Sequence, residues 1–174
     1  MPGEIPSHVV NLDQIPENER TFGEHYGAHV KQLTPSMAPR GGSLGVNHMR
    51  VPKGRSVCPF HAHLREDEVF FVLSGRGVLR YGEDVRPIRA GDCISCPAGT
   101  KIAHQIYNPH EEDLVYLAIG AFDPHDVCLY PDSGRVGVRG FDMGGTLETT
   151  GYFDDEPDPP RIAELADDAL KSGS

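Results

Sequence analysis

Four side chains in this sequence have the types and the spacing to hold a metal ion. The segment Phe60-His61-Ala62-His63-Leu64-Arg65-Glu66-Asp67-Glu68 sets two histidines at i and i+2, with a carboxylate five residues after the second. In an extended strand such neighbours project to one face, about 6.5–7 Å apart along the chain. His61 and His63 can therefore address one point. Glu68 opens the apolar run Val69-Phe70-Phe71-Val72-Leu73, and a hairpin between the two segments would set its carboxylate opposite the imidazoles. The fourth candidate is His104, which follows the turn Pro97-Ala98-Gly99 and starts the strand His104-Gln105-Ile106-Tyr107. Three neutral imidazoles and one carboxylate make a mixed nitrogen and oxygen site. It suits one divalent ion of Fe, Mn, Ni, Co or Zn per chain and leaves positions open for small ligands. Cu(I), which prefers thiolates, suits it less well. Glu68 doubles as a catalytic base if it is only weakly ligated.

Neighbouring residues divide by strand parity. Phe70, Val72 and Ile106 share parity with Glu68 and His104, so they are expected to form the apolar wall around the ion. His48 and Arg50 share one strand face and would orient an anionic substrate if that face lined the interior. Tyr81, Lys101 and Tyr107 are candidate polar groups at the pocket mouth. Glu66 and Asp67 read as a solvated turn, although Glu66 has the parity to replace Glu68. Cys58 differs in parity from the His pair, so a regular strand points it away from them. Cys93 and Cys96 lie three apart in a strand, on opposite faces and beyond disulfide reach, and read as structural thiols. His25 and His29 read as surface residues.

These side chains need a frame of many short strands. Glycine and proline together make up 35 of 174 residues, which argues against a helical bundle. From Leu44 to Gly140 short apolar runs alternate with turn signals at intervals of roughly 8–12 residues, the pattern of a sandwich or barrel. Strands are expected at 44–51, 56–63, 67–74, 77–81, 85–89, 92–96, 103–107, 114–121, 126–130 and 136–139. Residues 1–40 read as an irregular arm with one short strand at 28–33. Residues 41–140 form the barrel domain, and 141–174 an acidic extension. In that extension Ile162, Leu165, Ala166, Ala169 and Leu170 follow helical spacing, so a short helix is expected over 160–171, docked on the barrel or on a partner subunit. The net charge of −10 is concentrated there: residues 141–174 carry −7, against −1 for 41–140. No basic cluster points to nucleic acid or to an anionic membrane. No apolar run approaches the ~18 residues of a membrane span. With no secretion signal in view, Cys58, Cys93, Cys96 and Cys128 are expected to be reduced thiols in a cytoplasmic protein.

The spacing of the turns around the four donors resembles a known family. Gly54, six residues, His61-x-His63, four residues, Glu68, six residues and Gly75 is similar to the first motif of the cupin superfamily. Gly91, five residues, Pro97-x-Gly99, four residues, His104, three residues and Asn108 is similar to its second. The family usually has one residue fewer between the first glycine and the His pair, and fewer between the second motif's glycine and histidine. Both departures change loop length and leave the donor types intact. The resemblance covers about residues 44–121. It implies an all-β jelly-roll barrel, the double-stranded β-helix of small single-domain cupins, with His61, His63, Glu68 and His104 as metal ligands. It also implies a homodimer.

Fold does not decide function here, because the family is chemically broad. The first expectation is a small-molecule oxidoreductase, a mononuclear metal-dependent oxygenase of the dioxygenase kind. The second is a metal-dependent sugar or keto-acid isomerase or epimerase. The third is a cupin that binds a small molecule without turnover.

Overall fold

The computed structural model describes residues 7–163 together with 165 and 166. Among these the chain forms, in order, β1 (Asn18–Phe22), β2 (Tyr26–Gln32), β3 (Leu44–Val51), β4 (Arg55–Ser56), β5 (Ala62–His63), β6 (Glu68–Ser74), β7 (Arg76–Tyr81), β8 (Asp84–Arg89), β9 (Cys93–Cys96), β10 (His104–Asn108), β11 (Leu114–Ala121), β12 (Val127–Tyr130), β13 (Arg135–Val138) and β14 (Met143–Thr146). Three single-turn 3-10 helices interrupt them, at Leu12–Gln14, Ala38–Arg40 and Arg139–Phe141.

The strands make two sheets. The larger runs β8-β7-β10-β4-β2-β3-β11-β6-β9, with β1 laid along β2; the smaller runs β14-β13-β12-β5. Pairing is antiparallel except for one rung between β2 and β4, at Tyr26 and Ser56. Alternation along each strand sends one side chain in and the next out. In β6, Phe70 and Val72 are buried while Phe71 and Leu73 are 39% and 41% exposed. Beside a smaller cluster of Phe60, Ala62 and Ala103, the main core cluster among the described residues collects Ala28, Val30, Met49, Val51, Phe70, Val72, Leu79, Ile88, Ile94, Cys96, Ile106, Leu114 and Tyr116. These come from both ends of the larger sheet, so the sheet is curled on itself around one interior. This is the jelly-roll architecture expected. Burying each large apolar side chain is worth about 1.5–3 kcal/mol relative to leaving it exposed, and Val51, Val72 and Leu114 are fully enclosed.

The turn chemistry follows the motif residues. Gly54, Gly75, Gly91 and Gly99 all have positive φ, between 73° and 92°. Gly75 is constrained twice, since a Cβ there would lie 2.4 Å from the Asp113 carbonyl oxygen. Asn108 is fully buried, and its amide nitrogen donates to the carbonyls of Val51 and Glu112 at 2.9 and 2.8 Å.

Three regions depart from the sequence reading. The arm over 1–40 is not irregular throughout: β1 and β2 form a hairpin, and Ala28 and Val30 of β2 enter the core. The run 56–63 is two short pieces rather than one strand. Pro59, which has no backbone N–H, falls between them and breaks the ladder. Beyond Phe141, β14 extends the smaller sheet by pairing with β13. Residues 161–163, 165 and 166 are helical, but Ile162 and Leu165 are 68% and 53% exposed. The apolar stripe of this segment is therefore not docked on the barrel at these positions. Ala169, Leu170 and Lys171 lie outside the described residues.

Candidate metal centre

Three strand edges bring the four donors together. His63 sits in β5, which pairs with β12, and His61 bridges directly to His104 at the start of β10. Glu68 begins β6, held between Gly120 of β11 and Cys96 of β9. The four side chains converge on one carboxylate oxygen. Glu68 Oε2 lies 3.0 Å from His104 Nε2, 3.4 Å from His63 Nε2 and 3.5 Å from His61 Nε2. The rings of His61 and His63 meet edge to face at 4.9 Å, and those of His61 and His104 are 4.6 Å apart.

The outer nitrogens of the His pair are fixed. His61 Nδ1 donates to the Pro59 carbonyl at 2.8 Å, and His63 Nδ1 donates to Asp126 Oδ2 at 2.6 Å. Each proton on Nδ1 leaves the Nε2 lone pair turned inward, the arrangement a metal ligand requires.

Glu68 Oε2 and His104 Nε2 are buried with no hydrogen-bond partner among the described residues. Burying two such atoms without partners is costly, and a cation among the four donors removes the cost. His61, Glu68 and His104 offer donor atoms all within 4.8 Å of one another. The residues present thus fit a divalent ion.

Electrostatics agree. Burial works against charge on His61, yet the Cys58 sulfur and the Glu68 carboxylate beside it push its imidazole up to about 11. Burial alone would raise Glu68, but the imidazoles of His104 and His61 beside it hold it well below the ordinary carboxylate range. Burial lowers His104. The cluster is therefore one carboxylate seeking positive charge, and a divalent ion would take the place of the proton on His61.

Behind His63 lies a second set of charges. Asp126, 1% exposed, also accepts the Arg65 backbone N–H at 2.9 Å. Glu66 accepts the Asp123 backbone N–H at 2.7 Å and the Arg139 guanidinium at 2.6 Å. Glu66 is only 5% exposed, so the solvated turn expected there is a buried ion pair instead. The reason is Arg139, which arrives from beyond β13 and caps it. Sequence reasoning missed Asp126 and Arg139. Both lie more than sixty residues from the groups they hold, in loops without periodic pattern, and no local signal marks them.

The other candidates are distributed as follows. Phe70 and Ile106 are buried and, with Tyr116, wall a small cavity beside His104. The Phe70 ring lies 5.5 Å from that of His104. Tyr81 stands on the rung opposite His104 and packs on the core. Lys101 is exposed in the turn before β10, and Tyr107 is 39% exposed. His48 and Arg50 face away from the interior, because Met49 and Val51 take the inward positions of β3. Arg50 is bound to Glu17 and Asp113 at 2.5 and 2.9 Å and is not free to hold a substrate. Cys58 is not turned away as a regular strand would have it. The break at Pro59 brings its sulfur to 3.6 Å from His61 Nδ1. Cys93 is exposed and Cys96 buried, on opposite faces as expected.

This combination of a curled jelly-roll sheet and an inward-facing centre of three His and one Glu defines a class of protein. Residues 47–120 match the family model for the cupin domain, Cupin_2. Over 72 residues it is 40% identical to the oxalate-binding protein of Thermotoga maritima, a match that takes in 41% of this chain and 56% of that protein. The chain thus spans little more than half the length of this relative. The crystal structure of a predicted oxalate decarboxylase from Thermotoga maritima superposes with a TM-score of 0.58 at 27% identity, covering 66% of this chain and 99% of that one. A sugar phosphate isomerase from Silicibacter pomeroyi superposes with a TM-score of 0.65 at 23% identity, covering 83% and 98%. At that identity the second likeness shows the fold alone.

Proposed function

We propose that this chain binds one divalent ion (Fe, Mn, Ni, Co or Zn) through His61, His63, Glu68 and His104. In this reading it takes a small carboxylate-bearing molecule at that centre, in chemistry of the mononuclear oxygenase type. The observation that carries the reading is the pair of buried, unpartnered donors, Glu68 Oε2 and His104 Nε2, facing two imidazoles with fixed tautomers. When bound, the ion would supply Lewis-acid polarisation of ligand oxygens and, if it is a redox-active ion such as Fe or Mn rather than Zn, a redox partner for O2. The chain's residues do the rest. Asp126 and the Pro59 carbonyl hold the protons on the outer nitrogens of His63 and His61. Phe70, Ile106 and Tyr116 exclude water from the side of His104. The carboxylate class is supported by the relatives, two of which carry oxalate in their names.

Binding without turnover is the second reading, and one observation favours it over isomerisation. Among the described residues, the carboxylates nearest the centre other than Glu68 are already engaged: Asp126 by His63 and Arg65, Glu66 by Asp123 and Arg139. No separate carboxylate base remains for moving a proton on a sugar or keto acid.

Assembly and location belong to the same proposal. A homodimer would cover the outer face of β3, β11 and β6, where Phe71 and Leu73 are exposed and His48 Nδ1 lacks a partner. A cytoplasmic location fits four free cysteines. No helix among the described residues is long and apolar enough to cross a membrane.

Metal analysis of the purified protein tests the centre, with about one divalent ion per chain expected and a lower melting temperature after chelation. A metal-free protein with an intact fold sinks the reading. Calorimetric titration with oxalate and oxygen-electrode assays over small carboxylates, enediols and catechols separate the two functions. Binding without oxygen uptake selects the second.

A further inference from the structure

β12 runs antiparallel to β5, and Cys128 stands directly across from His63. Residues opposed in this way project to the same face, with Cβ atoms about 4.5–5.5 Å apart. The Cys128 sulfur and one nitrogen each of His61 and His63 all lie within 4.8 Å of one another, a span that suits three donors around a single ion. Cys128 is a free thiol, 8% exposed, with Tyr130 in hydrogen-bonding reach of its sulfur. His104 Nε2, on a side chain 4% exposed, lies in the adjoining group with His61 and Glu68 and has no hydrogen-bond partner among the described residues. On its other side Cys128 borders a surface cleft with Tyr130, Arg135 and Gly144, through which an ion can arrive from solvent.

We propose that Cys128 is a sulfur donor of this centre, completing with His61 and His63 a nitrogen and sulfur set for a thiophilic divalent ion such as zinc. The inference rests on the reading of His61 and His63 as metal ligands. Two donor sets then share His61. Glu68 and His104 serve an ion that prefers oxygen and nitrogen, and His63 and Cys128 serve one that accepts sulfur. On coordination the thiol gives its proton to solvent, and the thiolate is the ligand. Cys58 plays no such part. Its sulfur meets the Nδ1 side of His61, where the nitrogen already donates to Pro59.

Cobalt is the probe, since a thiolate ligand gives Co(II) a charge-transfer band in the near ultraviolet. The wild-type protein loaded with one equivalent of Co(II) should show that band, Cys128→Ser should lose it, and Cys58→Ser should keep it. Zinc X-ray absorption on the wild-type protein gives the same answer without a variant, should Cys128→Ser fail to fold. A sulfur neighbour at about 2.3 Å is expected beside nitrogens at about 2.0–2.1 Å. Stoichiometric cobalt without the band, a band that survives Cys128→Ser, or zinc with only nitrogen and oxygen neighbours overturns sulfur ligation and leaves the His and Glu centre standing. A protein that binds neither ion overturns both.

Discussion

Glu66 and Glu68 are two residues apart, share strand parity and lie on either side of His63, yet they end in opposite states. Glu66 is 5% exposed with both oxygens engaged, one by a backbone N–H and one by Arg139. Glu68 is the more open of the two, but its Oε2 is buried and has no hydrogen-bond partner. A carboxylate with its partners in place is structural. One that lies buried among imidazoles without a hydrogen bond has the surroundings that a cation would fit. The same contrast separates the two faces of His63, with a satisfied Asp126 at Nδ1 and an unsatisfied Glu68 at Nε2.

The contrast can be broken from either side. The largest effect is expected on the inner face. Glu68→Gln or His104→Ala should abolish stoichiometric binding of manganese, an ion that prefers oxygen and nitrogen donors, measured by elemental analysis after dialysis, while circular dichroism still reports a folded barrel. Retention of one ion per chain in both variants would remove the distinction between the two carboxylates. Asp126→Asn should come next. It keeps the volume but leaves one acceptor oxygen, without the charge, for the two donors His63 Nδ1–H and Arg65 N–H, and metal affinity in a competition assay should fall about 10–100-fold. Glu66→Gln should reverse the pattern. Metal affinity should stay within a few-fold, while denaturant unfolding shows a loss of about 1–3 kcal/mol from a buried group with imperfect partners.

The smallest effect belongs to an exposed pair. Glu17, held by Arg50, has its carboxyl lowered below the ordinary range by that hydrogen bond. A lowered carboxyl contributes stability above its unfolded value of about 4.3 and loses it as pH falls through the folded value. Glu17→Gln should therefore cost about 0–1 kcal/mol at pH 7. In urea titrations at pH 3 the difference from wild type should be smaller than at pH 7. A difference that grows in acid would contradict the sign.

Much of this was legible in the chain because the signals are local. β3 and β11 span the expected 44–51 and 114–121, where alternation is unbroken and turns flank each end. His61, His63, Glu68 and His104, which the fold brings together, could be singled out because parity and turn spacing are properties of short segments. What escaped was long-range. β1 follows no strong alternation of its own and is a strand because β2, which overlaps the expected 28–33, offers an edge to pair with. Cys58 was misdirected by treating 56–63 as one strand, although Pro59 was there to break it. Glu66 was read as exposed because its cap, Arg139, is 73 residues away. His48 and Arg50 fell on the outer face because the inward side of β3 belongs to Met49 and Val51, a choice that parity alone leaves open.

The clamp on His63 has a consequence for how the protein matures. His63 and Asp126 are separated by 63 residues. While the ribosome is still adding the segment between them, the nascent chain already displays His61, His63 and Glu68, and then His104, but nothing yet fixes the proton on His63. The proposed centre can therefore acquire its full outer hydrogen bonding only after β12 has paired with β5 and brought Asp126 to His63.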